Sequence, residues 1–172
     1  MDPVNEKLDL IENLALMYEA EIGSCPQCVL SALMEVLGTG SEELVKAADG
    51  LAGGSALSAE GTCGALAGGI LALGTIVGRS YAKFREKDKK RRIFRFTKIL
   101  YDKFLSEYKS PICKNIQSLL YGRAYNLLDP DEYALFKKEG AAPDRCQSVA
   151  GKTARWTAEI ILNELNDLPK DC

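Results

Sequence analysis

GTCGALAGGILALGTIVG, residues 61–78, carries no charged side chain over eighteen positions, and how that stretch is read decides the fold. Eighteen uncharged residues reach the length at which a membrane span has to be considered. Six of them are glycine, however, and neither flank holds the paired aromatic anchors of a spanning helix. A helix this rich in Gly and Ala fits better at the centre of a helical bundle, where missing side chains let neighbouring helices come close. The stretch therefore predicts a buried fourth helix running from Thr62 or Cys63 to Val77, with no membrane span.

The segments upstream supply partners for it. Asp2-Pro3 is an N-cap followed by proline in the first helical position, and Val4, Leu8, Ile11, Leu14 and Tyr18 recur at helical spacing until Gly23. Ser24 is positioned to cap a second helix from about Pro26, with Val29, Leu30, Leu33, Met34 and Leu37 on it and Gly38 as its stop. A third runs from Ser41 to about Ala52, its first turn acidic at Glu42 and Glu43, and Gly53-Gly54 ends it.

Downstream, one long helical segment is expected from about Ser80 to Tyr108, with Ile93, Phe96, Leu100 and Phe104 as its apolar stripe. Ser110-Pro111 closes it and Cys113 opens a short helix through Leu120. Asp129-Pro130 starts another short element, and Pro143-Asp144 opens a last helix carrying Val149, Thr153, Trp156, Ile160 and Leu165. No stretch alternates as a strand would. The expected fold class is all-α, a compact multi-helix bundle around a buried Gly/Ala-rich central helix, with residues 1–172 forming a single domain.

Composition narrows the chemistry. The chain has no histidine, which removes Ser-His-Asp and Cys-His catalysis, Cys/His zinc sites and His-ligated haem together. It has six cysteines: Cys25, Cys28, Cys63, Cys113, Cys146 and Cys172. The opening MDPVNEKLDL lacks the basic-then-apolar pattern of a secretory signal, which gives a cytoplasmic expectation and thiols kept reduced for metal or redox work. No phosphate-binding glycine loop is present, so a nucleotide cofactor is not expected.

Four cysteines share a context. Cys25, Cys63, Cys113 and Cys146 each stand at or near the predicted start of a different helix, where free backbone N–H groups favour a thiolate or an anionic cluster. Cys28 completes a C-x-x-C with Cys25, which suits two ligands of one metal or a redox pair, although the βαβ setting of a thioredoxin-like pair is missing. Gly64, Gly68 and Gly69 read as close-packing positions, and Gly64 and Gly68 could equally leave room for a cofactor beside Cys63. As residues, the five cysteines leave open an iron–sulfur electron carrier, a reductase of small substrates, and a structural four-cysteine zinc module.

Gly23-Ser24-Cys25-Pro26-Gln27-Cys28, then Cys63-Gly64-Ala65-Leu66-Ala67-Gly68, then isolated Cys113 and Cys146 resemble the C_GCAxxG_C_C family of redox-active proteins, over roughly residues 8–165. Here the central stretch is C-G-A-x-x-G, with Thr62 in place of glycine before the cysteine. Position by position, the family's four cysteines fall on Cys25, Cys63, Cys113 and Cys146. The resemblance implies a helical fold, a redox role and an iron–sulfur cluster of unspecified type.

The charges are unevenly spread. Residues 80–98, SYAKFREKDKKRRIFRFTK, hold nine cations against two carboxylates in a chain whose net charge is −2. Such a run is a solvated face or, functionally, a docking patch at 83–98 for an acidic redox partner. Net acidity and the lack of any nucleic-acid motif argue against nucleic acid. The Gly-lined fourth helix leaves a homodimer open.

Overall fold

The computed structural model describes residues 2–89, 91–140, 142 and 144–164. Cys172, Leu165 and Pro143, singled out above, lie outside them. The described residues form nine α-helices and no strand: α1 Pro3–Glu21, α2 Cys25–Leu37, α3 Glu42–Ala48, α4 Gly64–Val77, α5 Tyr81–Arg85, α6 Ile93–Tyr108, α7 Cys113–Tyr121, α8 Pro130–Glu139 and α9 Cys146–Glu159. A 3₁₀ turn, Asp49–Leu51, extends α3, and a π-helical turn, Ile160–Glu164, extends α9. Among the described residues no helix is long and apolar enough to cross a membrane.

Helix starts follow the capping residues. Asp2 accepts the N–H of Val4, Ser41 that of Leu44, and Asp129 those of Asp131 and Glu132, each satisfying donors that the first turn leaves unpaired. Ser24 departs from expectation. It lies in the left-handed region at φ 68°, makes no cap, and donates its hydroxyl to Asp49 at 3.2 Å. The tight reversal between α1 and α2 (Gly23 φ 85°, then Ser24) turns it away from the helix it was expected to cap.

The core gathers α1, α2, α4, α6 and α9. α9 packs on α1, α2 and α4, and α4 is flanked by α2, α6 and α9. Ile11, Leu30, Leu33, Leu66, Leu73, Phe96, Leu100 and Phe104 are almost entirely enclosed. Glycine is what admits α4 to this position. A Cβ on Gly68 would stand 2.7 Å from the carbonyl oxygen of Pro26, and one on Gly69 2.8 Å from Leu100 Cδ2. The glycine face of α4 is thus spent on contacts within the chain. Val4, counted on the apolar face of α1, is in fact exposed.

The long helix expected from Ser80 to Tyr108 is two helices. The chain leaves α5 at Glu86, Lys87 adopts a left-handed φ of 59°, and regular helix resumes only at Ile93. Residues 86–92 offer no apolar side chain to anchor a helical turn on the core.

Candidate functional site

Cys25 and Cys113 are the first residues of α2 and α7, Cys63 caps α4, and Cys146 is the first residue of α9. The four helix starts converge. Thr62 and Ile112 form an isolated antiparallel bridge, with Cys63 N donating to Pro111 O at 2.7 Å and Cys113 N to Gly61 O at 3.0 Å. That pairing sets Cys63 beside Cys113. Gly64 brings Cys63 toward Cys25, since a Cβ there would meet Pro26 Cδ at 2.7 Å and Cys25 Cβ at 3.3 Å. The glycines of this motif therefore act through close packing against the start of α2.

A cavity of about 170 Å³ opens beside these helix starts, with Cys25, Cys113 and Cys146 in its wall. Glu19 of α1, Gln117 and Tyr121 of α7 and Phe136 and Lys137 of α8 are also in the lining. Gln117 Nε2 donates to Cys113 Sγ at 3.3 Å while its Oε1 accepts the N–H of Tyr125 at 2.8 Å, so the amide is fixed from both ends. The Tyr121 hydroxyl accepts the Cys146 N–H at 3.3 Å and donates to its sulfur. Cys28 is placed differently. It faces a separate crevice with Tyr18, Gln27 and Glu35, and its thiol donates to Gly23 O at 3.0 Å.

Two features of the site have no counterpart in the sequence reading. Glu19, on α1, accepts the Cys25 thiol hydrogen at 3.3 Å, and its second oxygen is buried with no partner. Burial pushes this carboxyl up, against the opposing hydrogen bonds of Cys25 and Cys28 and the charge of Lys137. The available signal was spacing: Leu8, Ile11 and Ala15 are buried, and Glu19 is the next position on that face. The second feature is the turn at 53–57, where Gly53, Gly54, Ser55, Ala56 and Leu57 all take φ between 51° and 76°. Consecutive left-handed residues cost roughly 1–2 kcal/mol each outside glycine. This run is held by Ala56 N to Gly50 O at 2.9 Å and Ala59 N to Gly53 O at 2.8 Å, and it backs directly onto Cys113.

The thiols are harder to ionise than their helix-start positions predict. Burial pushes Cys63 up from 9.0 to about 12; neighbouring Cys113 adds to the shift, while the N–H groups of Ala65 and Leu66 oppose it. Burial likewise raises Cys25, which also feels Glu19, Cys63, Cys146 and Cys113; Cys113 and Cys146 rise for the same first reason. The N-terminal N–H groups act, but desolvation outweighs them. Four thiolates in this space would repel one another, and a metal centre is the group whose positive charge offsets both costs. Among the described residues no three Cys, Asp or Glu side chains are grouped closely enough to hold a single metal ion.

The model of the family described as "Putative redox-active protein (C_GCAxxG_C_C)" matches residues 24–160 of the chain. No curated protein and no solved structure matches it.

Proposed function

We propose, because the chain belongs to the C_GCAxxG_C_C family of redox-active proteins, that Cys25, Cys63, Cys113 and Cys146 hold an iron–sulfur cluster through which it passes electrons to a partner protein. The observation that carries this reading is the convergence of four helix starts that each bear a cysteine, with Cys25, Cys113 and Cys146 on one cavity and Cys63 buried behind them. An iron–sulfur cluster supplies one-electron chemistry at a potential set by its surroundings. Here those surroundings are protein groups with definite jobs. Gln117 and Tyr121 orient Cys113 and Cys146 by hydrogen bonds to sulfur, the N–H groups at the start of α4 face Cys63, and Glu19 takes the Cys25 proton contact. Burial of Cys63 and Cys113 keeps water from the ligands.

A second reading is favoured by the cavity itself. A reductase acting on a small substrate, through the cluster or a Cys25–Cys28 dithiol, needs an open pocket beside the cysteines, and Phe136 and Lys137 line such a space. The raised thiols weigh against a bare dithiol, because the attacking species is the thiolate.

Anaerobic purification with iron, zinc and acid-labile sulfide analysis and a visible spectrum tests the proposal. Iron with sulfide, a brown colour bleached by dithionite, and loss of most of that colour in Cys63→Ser are expected. Zinc without sulfide, or a colourless metal-free protein after anaerobic reconstitution, would overturn it.

A further inference from the structure

The basic segment and the cysteine site lie at opposite ends of the same helices. Cys63 caps the start of α4, and the basic run follows its far end at Gly78, roughly 20 Å away at 1.5 Å per residue. α6 gives the same result independently. Tyr108, at its C-terminus, is close enough to Cys63 and Cys146 for their charges to bear on its hydroxyl, whereas Ile93, at the basic end, is again roughly 20 Å distant. A partner seated on this segment would therefore face the end of the bundle remote from the cysteines.

What this end exposes is mixed. Tyr81 is 77%, Phe84 57% and Phe94 59% exposed. Tyr81 and Phe84 share one face of the single-turn α5 at i, i+3 spacing, and every residue from Tyr81 to Lys87 is exposed. The Arg79 guanidinium sits 5.0 Å over Phe84 and that of Arg91 5.3 Å over Phe94, so rings and cations are presented together. No other helix packs substantially on α5. Residues 80–98 hold seven net positive charges, leaving nine net negative charges on the rest of the chain.

We propose that this aromatic, basic end docks on an anionic lipid bilayer surface. The rings enter the headgroup boundary and the lysines and arginines meet lipid phosphates, the two contributions that hold interfacial segments on membranes. A protruding turn with exposed rings suits a bilayer better than it suits a protein partner, whose anchors need pockets. The cavities beside the cysteines are lined by residues 18–57 and 113–147, away from this end. A nucleic-acid strand would want a cationic groove to follow, whereas here the cations cluster at one pole of an otherwise acidic molecule. Docked this way, the molecule keeps its cysteine cavity on the side turned away from the lipid.

The test is co-sedimentation of the purified full chain with vesicles of phosphatidylcholine alone and of phosphatidylcholine with phosphatidylglycerol. Binding to the anionic vesicles only, released by salt, is expected. Lys83→Glu with Arg85→Glu should weaken it by about tenfold or more, and Tyr81→Ser with Phe84→Ser should weaken it without any change of charge. Circular dichroism checks that these surface variants stay folded. No binding to anionic vesicles, equal binding to both compositions, or insensitivity to both double variants overturns the proposal. Retention on a single-stranded oligonucleotide or on polyglutamate, with none on vesicles, overturns it in favour of nucleic acid or an acidic protein. None of these readings depends on what the cysteines hold.

Discussion

Gly54 and Cys113 touch so closely that a Cβ on the glycine would stand 2.7 Å from Cys113 Cβ. The contact ties the left-handed turn at 53–57 to a cysteine of the site, and it gives the turn a consequence beyond its own strain.

Gly54→Ala should accordingly be costly. It combines a φ of 76° with overpacking against the start of α7, together roughly 2–4 kcal/mol. Gly50→Ala is the control, because nothing lies within 4 Å of its Cβ position, and its effect should stay within about 0.5 kcal/mol. Urea unfolding of both variants checks this; equal effects would show that the turn does not constrain Cys113.

Glu19→Gln keeps an acceptor for the Cys25 thiol and removes a carboxylate that burial disfavours. The Glu19 carboxyl is raised in the folded protein, so the wild type holds that proton more tightly folded than unfolded. Its contribution to stability is present at low pH and lost as pH rises through the folded value. The advantage of Glu19→Gln over wild type in the metal-free protein should therefore be larger at neutral pH than in mild acid. A difference that does not change with pH would contradict this.

The Cys63 thiol gives the complementary case in alkali. Its shift from 9.0 to about 12 means that the unfolded chain releases this proton first, so metal-free stability falls as pH climbs through that window. Cys63→Ala should show a shallower fall between about pH 9 and about pH 11. Parallel slopes for variant and wild type would rule out burial of Cys63 as the cause.

Cys28 faces its own crevice and donates to Gly23 O. In the cluster reading, Cys28→Ser should keep the iron, sulfide and visible absorption that Cys25→Ser, Cys113→Ser and Cys146→Ser lose. Metal analysis of the four variants, purified without oxygen, decides between four ligands and five.

Much of this arrangement could be read from residue types whose local effect dominates. Asp2, Ser41 and Asp129 cap as expected because a short acceptor before a helix has few competing uses. The uncharged run from Gly61 to Gly78 fits the bundle interior better than a membrane, and α4 is buried from Gly64 to Leu73 along most of its faces while its last turn is partly exposed. Elsewhere tertiary context overrode local preference. Ser55, Ala56 and Leu57 take left-handed φ values that nothing in their side chains announces; their N–H groups donate to the carbonyls of Leu51, Gly50 and Ala52, which impose them. Glu19 went unread, because a carboxylate at the end of the buried face of α1 gains its meaning only from the Cys25 thiol that the fold brings to it. The thiols were placed correctly and their ionisation was not, because helix position is visible in a sequence whereas the depth of burial beside three other cysteines is not.

The cysteines gathered at this end of the bundle are residues 25, 63, 113 and 146, and each is fixed by a helix start. On a ribosome, no nascent chain can bring all four together until α9 has emerged. A chain stopped before residue 146 carries only three of the four. The four-cysteine arrangement is therefore completed only once α9 has been made, and a chain terminated before residue 146 cannot form it.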